Sequence, residues 1–207
     1  MSELVTTWGY TITDAEELAP MLTPEEYNAL TANKYSGDVR IEPTVEAASL
    51  AVRNYCGWHV YPSRACRWSG YAGLSPAVSR NGAEILIQLP AKYVTSIVSV
   101  KIGGFYVSDY ILETNGLLHV INNCAPTYAP IIVEYVAGLP EALMGALREL
   151  VGHRVTHAMA NSYGIASEAS GGVSITYSQN WSNSARATAL ADDNKEVLEP
   201  YRLQGVF

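Results

Sequence analysis

His153 and His157 are the two residues whose type and spacing come closest to a metal-binding or catalytic motif. On a helix they lie one turn apart on the same face, and the string HRVTH at 153–157 is close to the H-E-x-x-H pattern of zinc proteases. The second residue of that pattern is a glutamate that acts as a general base. Here it is Arg154, a cation that accepts no proton and repels a metal ion. We therefore expect two polar helix histidines and no metal.

A second candidate pair is Cys56 with His59, which have the residue types of a thiol nucleophile and its base. Cys56 falls at the end of a predicted helix, next to Gly57, and no carboxylate stands nearby to orient the histidine. A buried structural cysteine is the favoured interpretation.

Two further groups have weaker signals. Segment 167–172 is rich in glycine and serine like a phosphate-binding loop, but it lacks the lysine and the strand-to-helix context, which favours a flexible linker. Acidic residues cluster at two predicted helix starts, where carboxylates favour the helix dipole, and they do not resemble a paired-carboxylate active site: Asp14, Glu16, Glu17, Asp192 and Asp193. The sequence predicts no catalytic residue, no cofactor and no metal, hence no enzyme.

The overall composition favours a protein whose surface is partly covered by partner proteins. Of its 207 residues 16% are charged and 48% hydrophobic, whereas about 25% charged residues are usual. It has 14 tyrosines and 2 phenylalanines, and tyrosine favours interfaces where the ring is buried and the hydroxyl stays hydrogen-bonded. Tyrosines on the face of an ordinary sheet are the alternative. The net charge of −7, without a cluster of basic residues, argues against tight wrapping of nucleic acid.

Cysteine usage and hydropathy indicate the compartment. Cys56, Cys66 and Cys124 are odd in number and follow no C-x-x-C spacing, which is typical of free thiols in a reducing compartment. The first ten residues lack the basic start and apolar core of a signal peptide, and no apolar run approaches the roughly 18 residues that span a bilayer. We expect a protein that is assembled in the cytoplasm and has no membrane partner.

Helical signals open the chain. Thr13 with Glu16 and Thr23 with Glu26 both fit the capping box, so two short helices are predicted. A further helix over 43–55 has one apolar face, with Glu46 and Arg53 directed elsewhere; the face comprises Ile41, Val45, Ala48, Val52 and Tyr55. After Gly57 the segment 58–81 is predicted to be a long ordered loop.

Strand signals follow from 84 to 136. Alternation predicts strands at 84–89, 94–102, 105–107, 110–112, 117–121 and 131–136, with Val94, Val98, Val100 and Ile102 on one face of the second. Gly103-Gly104 and Asn115-Gly116 are typical of two-residue hairpin turns. The prediction is an antiparallel β meander.

The long helix predicted over 141–160 has the clearest apolar stripe, which comprises Leu143, Leu147, Leu150, Val151, Val155 and Ala158. Its other side carries Gly145 and Gly152, each costing about 1 kcal/mol relative to alanine, which another backbone at close range would offset. A neighbouring subunit is one source of that backbone, and a merely solvated face is the alternative. A short strand at 173–178, a last helix from 185 to about 198 and an apolar tail at 201–207 complete the chain.

These elements predict an α+β protein: a small helical bundle with an inserted antiparallel β meander, a long central helix and an extended C-terminal arm. Its parts are an N-terminal helical part at 1–57, a β-rich insertion at 58–138, and the long helix with a C-terminal hairpin and arm at 139–207. Together they make one structural domain.

The order of the motifs resembles the head-to-tail connector, or adaptor, proteins of tailed bacteriophages. The likeness covers about 43–202 and is carried, in order, by VEAA at 45–48, YCG at 55–57, LP at 89–90, VTSIVSV at 94–100, GG at 103–104, Tyr110, GLL at 116–118, VEYVAGLP at 133–140, GI at 164–165, SE at 167–168, GVSI at 172–175 and LEPYR at 198–202. The long segment 58–81 and the extended N-terminus depart from the pattern.

The resemblance implies a structural virion protein without catalysis. Such proteins form a ring, often dodecameric, between the portal above and the stopper or tail protein below, at the neck of the virion. Genomic DNA passes through the ring without specific binding, and an acidic channel wall would let it slide.

The resemblance also directs attention to two sets of residues. Subunit-contact candidates are Gly145, Glu149, Gly152 and Thr156, and portal-docking candidates are Pro200, Tyr201, Arg202, Leu203 and Phe207. The alternatives are another neck or tail-completion protein, such as a stopper or terminator, and, from a different class, a carbohydrate-binding β module or a metal enzyme.

Overall fold

The computed structural model describes residues 3–82, 84–113, 115–121, 126, 128–160, 167–170, 173–176 and 192–203, with the backbone alone at 167–170, 173–176 and 192–194. Contacts divide the chain into two compact units. Unit 1 comprises 1–19, 56–143 and 200–207, and unit 2 comprises 20–55 and 144–199. The units therefore cut across the three parts predicted from the sequence, because each unit joins segments that are distant along the chain.

Unit 1 contains two antiparallel sheets. The six-stranded sheet has the order β1 (Leu4–Val5), β2 (Thr11–Ile12), β3 (Arg64–Tyr71), β10 (Pro130–Ala137), β6 (Val94–Ile102) and β7 (Phe105–Tyr106). The four-stranded sheet has the order β4 (Val78–Asn81), β5 (Glu84–Gln88), β9 (Leu117–Val120) and β8 (Tyr110–Leu112). Alternating apolar residues of these strands are buried and form the core of the unit, among them Ile85, Ile87, Leu118, Ile131, Val133 and Tyr135.

Unit 2 contains the helices and one separate hairpin. Its elements are α1 (Pro24–Leu30), α2 (Ile41–Cys56, whose last residue belongs to unit 1), α3 (Gly145–Ala160), the hairpin β11 (Ser167–Ser170) with β12 (Val173–Thr176), and α4 (Asp192–Leu198). The predicted capping box at Thr23 is confirmed, since its hydroxyl accepts from the Glu26 amide and the Glu26 carboxylate accepts from the Thr23 amide. The helix predicted over 43–55 is also confirmed, and Arg53, which was placed outside the apolar face, is buried as well.

The predicted fold of a small helical bundle with an inserted meander and a long central helix is wrong. Ten strands lie in the two antiparallel sheets, and the four helices of the described residues are short, with 7 or 16 residues each. The described part contains neither a long central helix nor a helical bundle. Segment 58–81, predicted to be a loop, contributes β3 and β4, and Thr13 follows strand β2 instead of opening a helix.

The strands of the predicted meander are present, but their arrangement differs from the prediction. Strands β5 to β10 lie close to their predicted positions, and Gly103 and Gly104 adopt the positive φ values of the hairpin turn. The strands are shared between two sheets rather than forming one. In β6 the register against β10 slips between Glu134 and Tyr135, so Val98 is exposed although it was predicted to share the face of Val100.

No helix in the described ranges is both long and apolar enough to cross a membrane.

Candidate assembly surfaces

Five large apolar side chains are exposed at one end of the six-stranded sheet. We call this surface the aromatic end; it comprises Tyr71, Leu74, Phe105, Tyr106 and Tyr128, with exposed fractions between 52% and 78%. Large apolar side chains exposed at one place on a protein are typical of a protein–protein contact site.

Three chain segments meet at the aromatic end because backbone hydrogen bonds hold them together. The β6–β7 turn is fixed by the Gly103 amide, which donates to the carbonyl of Pro130 at 2.8 Å. The Ala72 amide donates to the Ala129 carbonyl at 3.0 Å, and the Tyr128 amide donates to the Ala72 carbonyl at 2.8 Å. The surface is therefore built on a hydrogen-bonded framework.

A cation lies within this surface. The Lys101 ammonium is 4.5 Å from the centroid of the Tyr106 ring, and its hydrogen bond to the Tyr106 hydroxyl raises the lysine pKa. Aromatic rings with an adjacent cation suit a partner surface that combines apolar and acidic groups. The sequence signalled an excess of tyrosine but not its position, since Tyr71 and Leu74 lie in the segment that was predicted to be a loop.

The predicted portal-docking residues lie mostly against their own unit. The Tyr201 carbonyl accepts from the Trp58 indole at 2.7 Å, the Pro200 carbonyl accepts from the Lys92 ammonium at 2.8 Å, and the Leu203 amide donates to the Cys56 carbonyl at 2.9 Å. The Tyr201 ring also stacks on that of Tyr93. Segment 200–203 is thus anchored, although Pro200 and Arg202 are exposed, while Phe207 falls outside the described residues.

The predicted subunit-contact residues on α3 are not equivalent. Gly145 and Glu149 are exposed, and a Cβ added at Gly145 would meet nothing within 4 Å. Gly152 is buried instead, because Leu22 and Leu30 of the same chain cover it, 3.8 and 3.5 Å from where its Cβ would lie.

Thr156, the fourth of these candidates, is half-buried. Its hydroxyl lies 2.9 Å from the Gly152 carbonyl and 3.2 Å from the Tyr27 hydroxyl. Burial is the main cause that raises the pKa of Tyr27. The neighbours of Gly152 are therefore leucine side chains at ordinary contact distance and not the backbone that the sequence predicted, and Gly145 and Glu149 remain as the candidate residues of this face that a partner can reach.

A histidine between two carboxylates lies on the exposed face of the four-stranded sheet. His119 Nδ1 is 2.8 Å from Glu84 Oε1, and His119 Nε2 is 2.8 Å from Glu113 Oε1. The hydrogen bond to Glu84 is the largest cause that raises the histidine pKa. Both ring nitrogens face a carboxylate, so Glu84, Glu113 and His119 link β5, β9 and the end of β8 electrostatically. We call these three side chains the clamp. Sequence reasoning missed it because its members are 6 and 35 residues apart.

The histidine and cysteine pairs of the sequence do not form a catalytic arrangement. His153 and His157 are both exposed, and His153 lies 3.8 Å from Glu149 of its own helix. His59 is fully buried, with Nδ1 accepting from the Tyr10 hydroxyl at 2.6 Å and Nε2 donating to the Ala137 carbonyl at 2.9 Å. This histidine joins distant segments of unit 1.

Cys56 and Cys66 are both buried and outside any disulfide among the described residues, and the burial of Cys56 agrees with the sequence prediction. Burial raises the pKa of Cys66 to about 12, so its thiol stays protonated and unreactive. Cys124 lies outside the described residues. Of segment 167–172, residues 167–170 form β11 instead of a linker, and across the described ranges no cluster of three ligand residues is arranged to hold a metal ion.

Comparison of the chain with protein-family models and with curated protein sequences found no match.

Proposed function

We propose that this protein is a structural component of a tailed-phage neck, where copies form a ring between the portal and the stopper or tail protein and surround the DNA channel. The observation that carries the proposal is the aromatic end. Exposed Phe105 and Tyr106 on a fixed hairpin are costly to keep in water, and burial against another protein removes that cost.

The motif order that resembles connector proteins supports the same proposal. One of its strings, VEYVAGLP at 133–140, contains β10 and Gly138, whose φ of 142° is in the region that favours glycine. A Cβ at Gly138 would collide with the backbone of Ser63 and lie 2.7 Å from the carbonyl oxygen of Pro62. The resemblance therefore includes a position where the fold demands glycine. The proposal does not depend on the predicted helical bundle, which is absent from the described part of the structure.

The net charge gives the proposed channel a physical rationale. At −7 the chain repels phosphate, and affinity for DNA grows with each phosphate that a cation neutralises. A channel wall of this kind would let the genome pass without binding it.

A double substitution at the aromatic end tests the proposal. Phe105→Ser with Tyr106→Ser should abolish assembly with portal and tail proteins while leaving the circular dichroism spectrum and thermal midpoint unchanged, since both side chains are exposed. Val5→Ser with Val39→Ser is the matched control, because these residues are 79% and 88% exposed. Unchanged assembly of the first variant would contradict the role of the aromatic end.

Two truncations test whether the C-terminal tail docks onto the portal. Removal of 204–207, which includes Phe207, keeps every anchoring contact of 200–203, whereas removal of 200–207 also deletes the carbonyls that Trp58 and Lys92 bind. If the tail docks, the shorter deletion abolishes portal attachment without changing stability, and the longer one lowers stability as well. Full portal attachment of both truncated proteins would contradict docking by the tail.

A further inference from the structure

Strand β6 has an open edge. On one side β10 pairs with it from Val94 to Ile102, whereas on the other side β7 pairs only with Lys101 and Ile102. A further bond joins the Val107 amide to the Val100 carbonyl. Within the described residues, no strand covers the outer edge of 94–99.

This edge has little protection against pairing with another strand. Free edges usually carry lysine or proline, or end after a few residues, because unpaired backbone groups recruit other strands. Segment 94–99 reads VTSIVS, without charge or proline, and Thr95, Ser96 and Val98 are exposed. The two register irregularities against β10 bend the strand, which limits the length of straight edge that a new partner can follow. A short strand fits this edge best.

The hairpin β11–β12 is a short element that lacks a sheet. Its strands have four residues each, and within the part of the chain that the structure describes they pair with each other and with no other strand. An isolated two-stranded hairpin is marginally stable in water, so this one gains from pairing with a third strand.

The register of the hairpin shows which backbone groups are free to pair. Ser170 pairs with Val173 at the end of the hairpin. A pair that only two residues separate in the sequence exchanges hydrogen bonds, so the alternation of an antiparallel ladder directs the amide and carbonyl of Ser174 outward. Thr176 is directed outward by the same alternation. Of the two strands, β12 reads VSIT and is rich in β-branched residues, whereas β11 reads SEAS and contains a glutamate, so β12 is the better strand former.

We propose that β12 of one copy adds to the open edge of β6 in a second copy, so that an intermolecular strand pair joins neighbouring subunits. Among the described strands the two elements belong to different sheets, and no described strand pairs with the outer edge of β12 or with the outer edge of β6 at 94–99. Each copy supplies one edge and one hairpin, so the contact is head-to-tail, the type of interface that closes into rings. This inference rests on the proposed ring-forming function and names its subunit contact.

Two single substitutions break the contact from opposite sides. Ser174→Pro removes an outward amide of β12 while keeping the bonds inside the hairpin, and Ser174→Ala is its control. Val98→Lys places a charge at the β6 edge, where Val98 is 63% exposed, and Val39→Lys is its control at another exposed valine. Under conditions where the wild-type chain forms rings, native mass spectrometry should show rings for both controls and monomers for both edge variants.

Mixing the two edge variants gives the sharpest result. The Val98→Lys chain keeps an intact hairpin, and the Ser174→Pro chain keeps an intact β6 edge, so one contact can form between them and no second one. The mixture should contain 1:1 heterodimers and nothing larger. Rings from either variant alone, or a mixture that stays monomeric, would overturn the strand-pairing proposal. If the wild-type chain forms no rings even with the portal protein, the proposed function fails instead.

Discussion

The substitution Tyr10→Phe tests how the strands of unit 1 are held together. The Tyr10 hydroxyl donates to His59 Nδ1 at 2.6 Å and accepts from the His59 amide at 3.0 Å, and both residues are buried. Phenylalanine keeps the ring and opens no cavity. It removes the hydroxyl that bonds a buried imidazole nitrogen and a buried amide, and the loss of a hydrogen bond at each buried group costs about 1–3 kcal/mol.

We expect Tyr10→Phe to lower the free energy of unfolding by about 2–4 kcal/mol. For a chain of this size that corresponds to a fall in the thermal midpoint of roughly 5–15 °C. Urea denaturation followed by circular dichroism measures the change, and Tyr128→Phe is the control because Tyr128 is 59% exposed. A Tyr10→Phe protein as stable as the control would refute the conclusion that the hydrogen bonds between Tyr10 and His59 stabilise unit 1.

Three further predictions follow from single sites. The carboxylate of Glu84 raises the pKa of His119, so the charged histidine stabilises the fold fully below about pH 6.5 and loses this effect as the pH rises through the raised pKa. The difference in unfolding free energy between the wild type and His119→Gln should therefore shrink as the pH rises over that range. A difference that stays constant with pH would contradict this prediction. Gly138→Ala should destabilise by about 3 kcal/mol or more, measured by urea denaturation, because its Cβ would meet the backbone of Ser63, and a near-neutral result would show that the junction relaxes easily. Tyr135→Phe should be neutral or stabilise by up to about 1 kcal/mol, because the buried Tyr135 hydroxyl has no hydrogen-bond partner among the described residues; a loss of more than about 1 kcal/mol would contradict that reading.

Local signals predicted the elements whose partners are close in sequence. The Thr23–Glu26 capping box, the apolar stripe of α2 and the turn at Gly103-Gly104 each specify structure within a few residues, and all three are confirmed.

The errors arose where structure depends on distant pairing. Strand β3 contains Arg64, Arg67 and Gly70, and it becomes a strand because β10 pairs with it along its whole length from about 60 positions away. The β4–β5 hairpin did have a local signal that was missed. Asn81 ends β4 and pairs with Glu84, so Gly82 is the first of the two residues that join the strands, where glycine is typical of a tight hairpin turn; its φ is a positive 62°.

The sequence indicated that the protein has surfaces for partners, but it did not indicate which residues form them. The tyrosine excess indicated a partner-covered protein, yet only the three-dimensional meeting of 71–74, 103–106 and 128–130 assembles the aromatic end. The glycines of α3 predicted the close approach of another backbone, whereas the side chains of Leu22 and Leu30 of the same chain cover Gly152.

Electron microscopy of the purified protein mixed with the portal protein encoded by the same genome is the most direct test of the neck assignment. A neck protein should give ring-shaped particles of uniform stoichiometry bound to one end of the portal. A protein that stays monomeric, does not bind the portal and carries a stoichiometric metal ion would contradict the neck assignment.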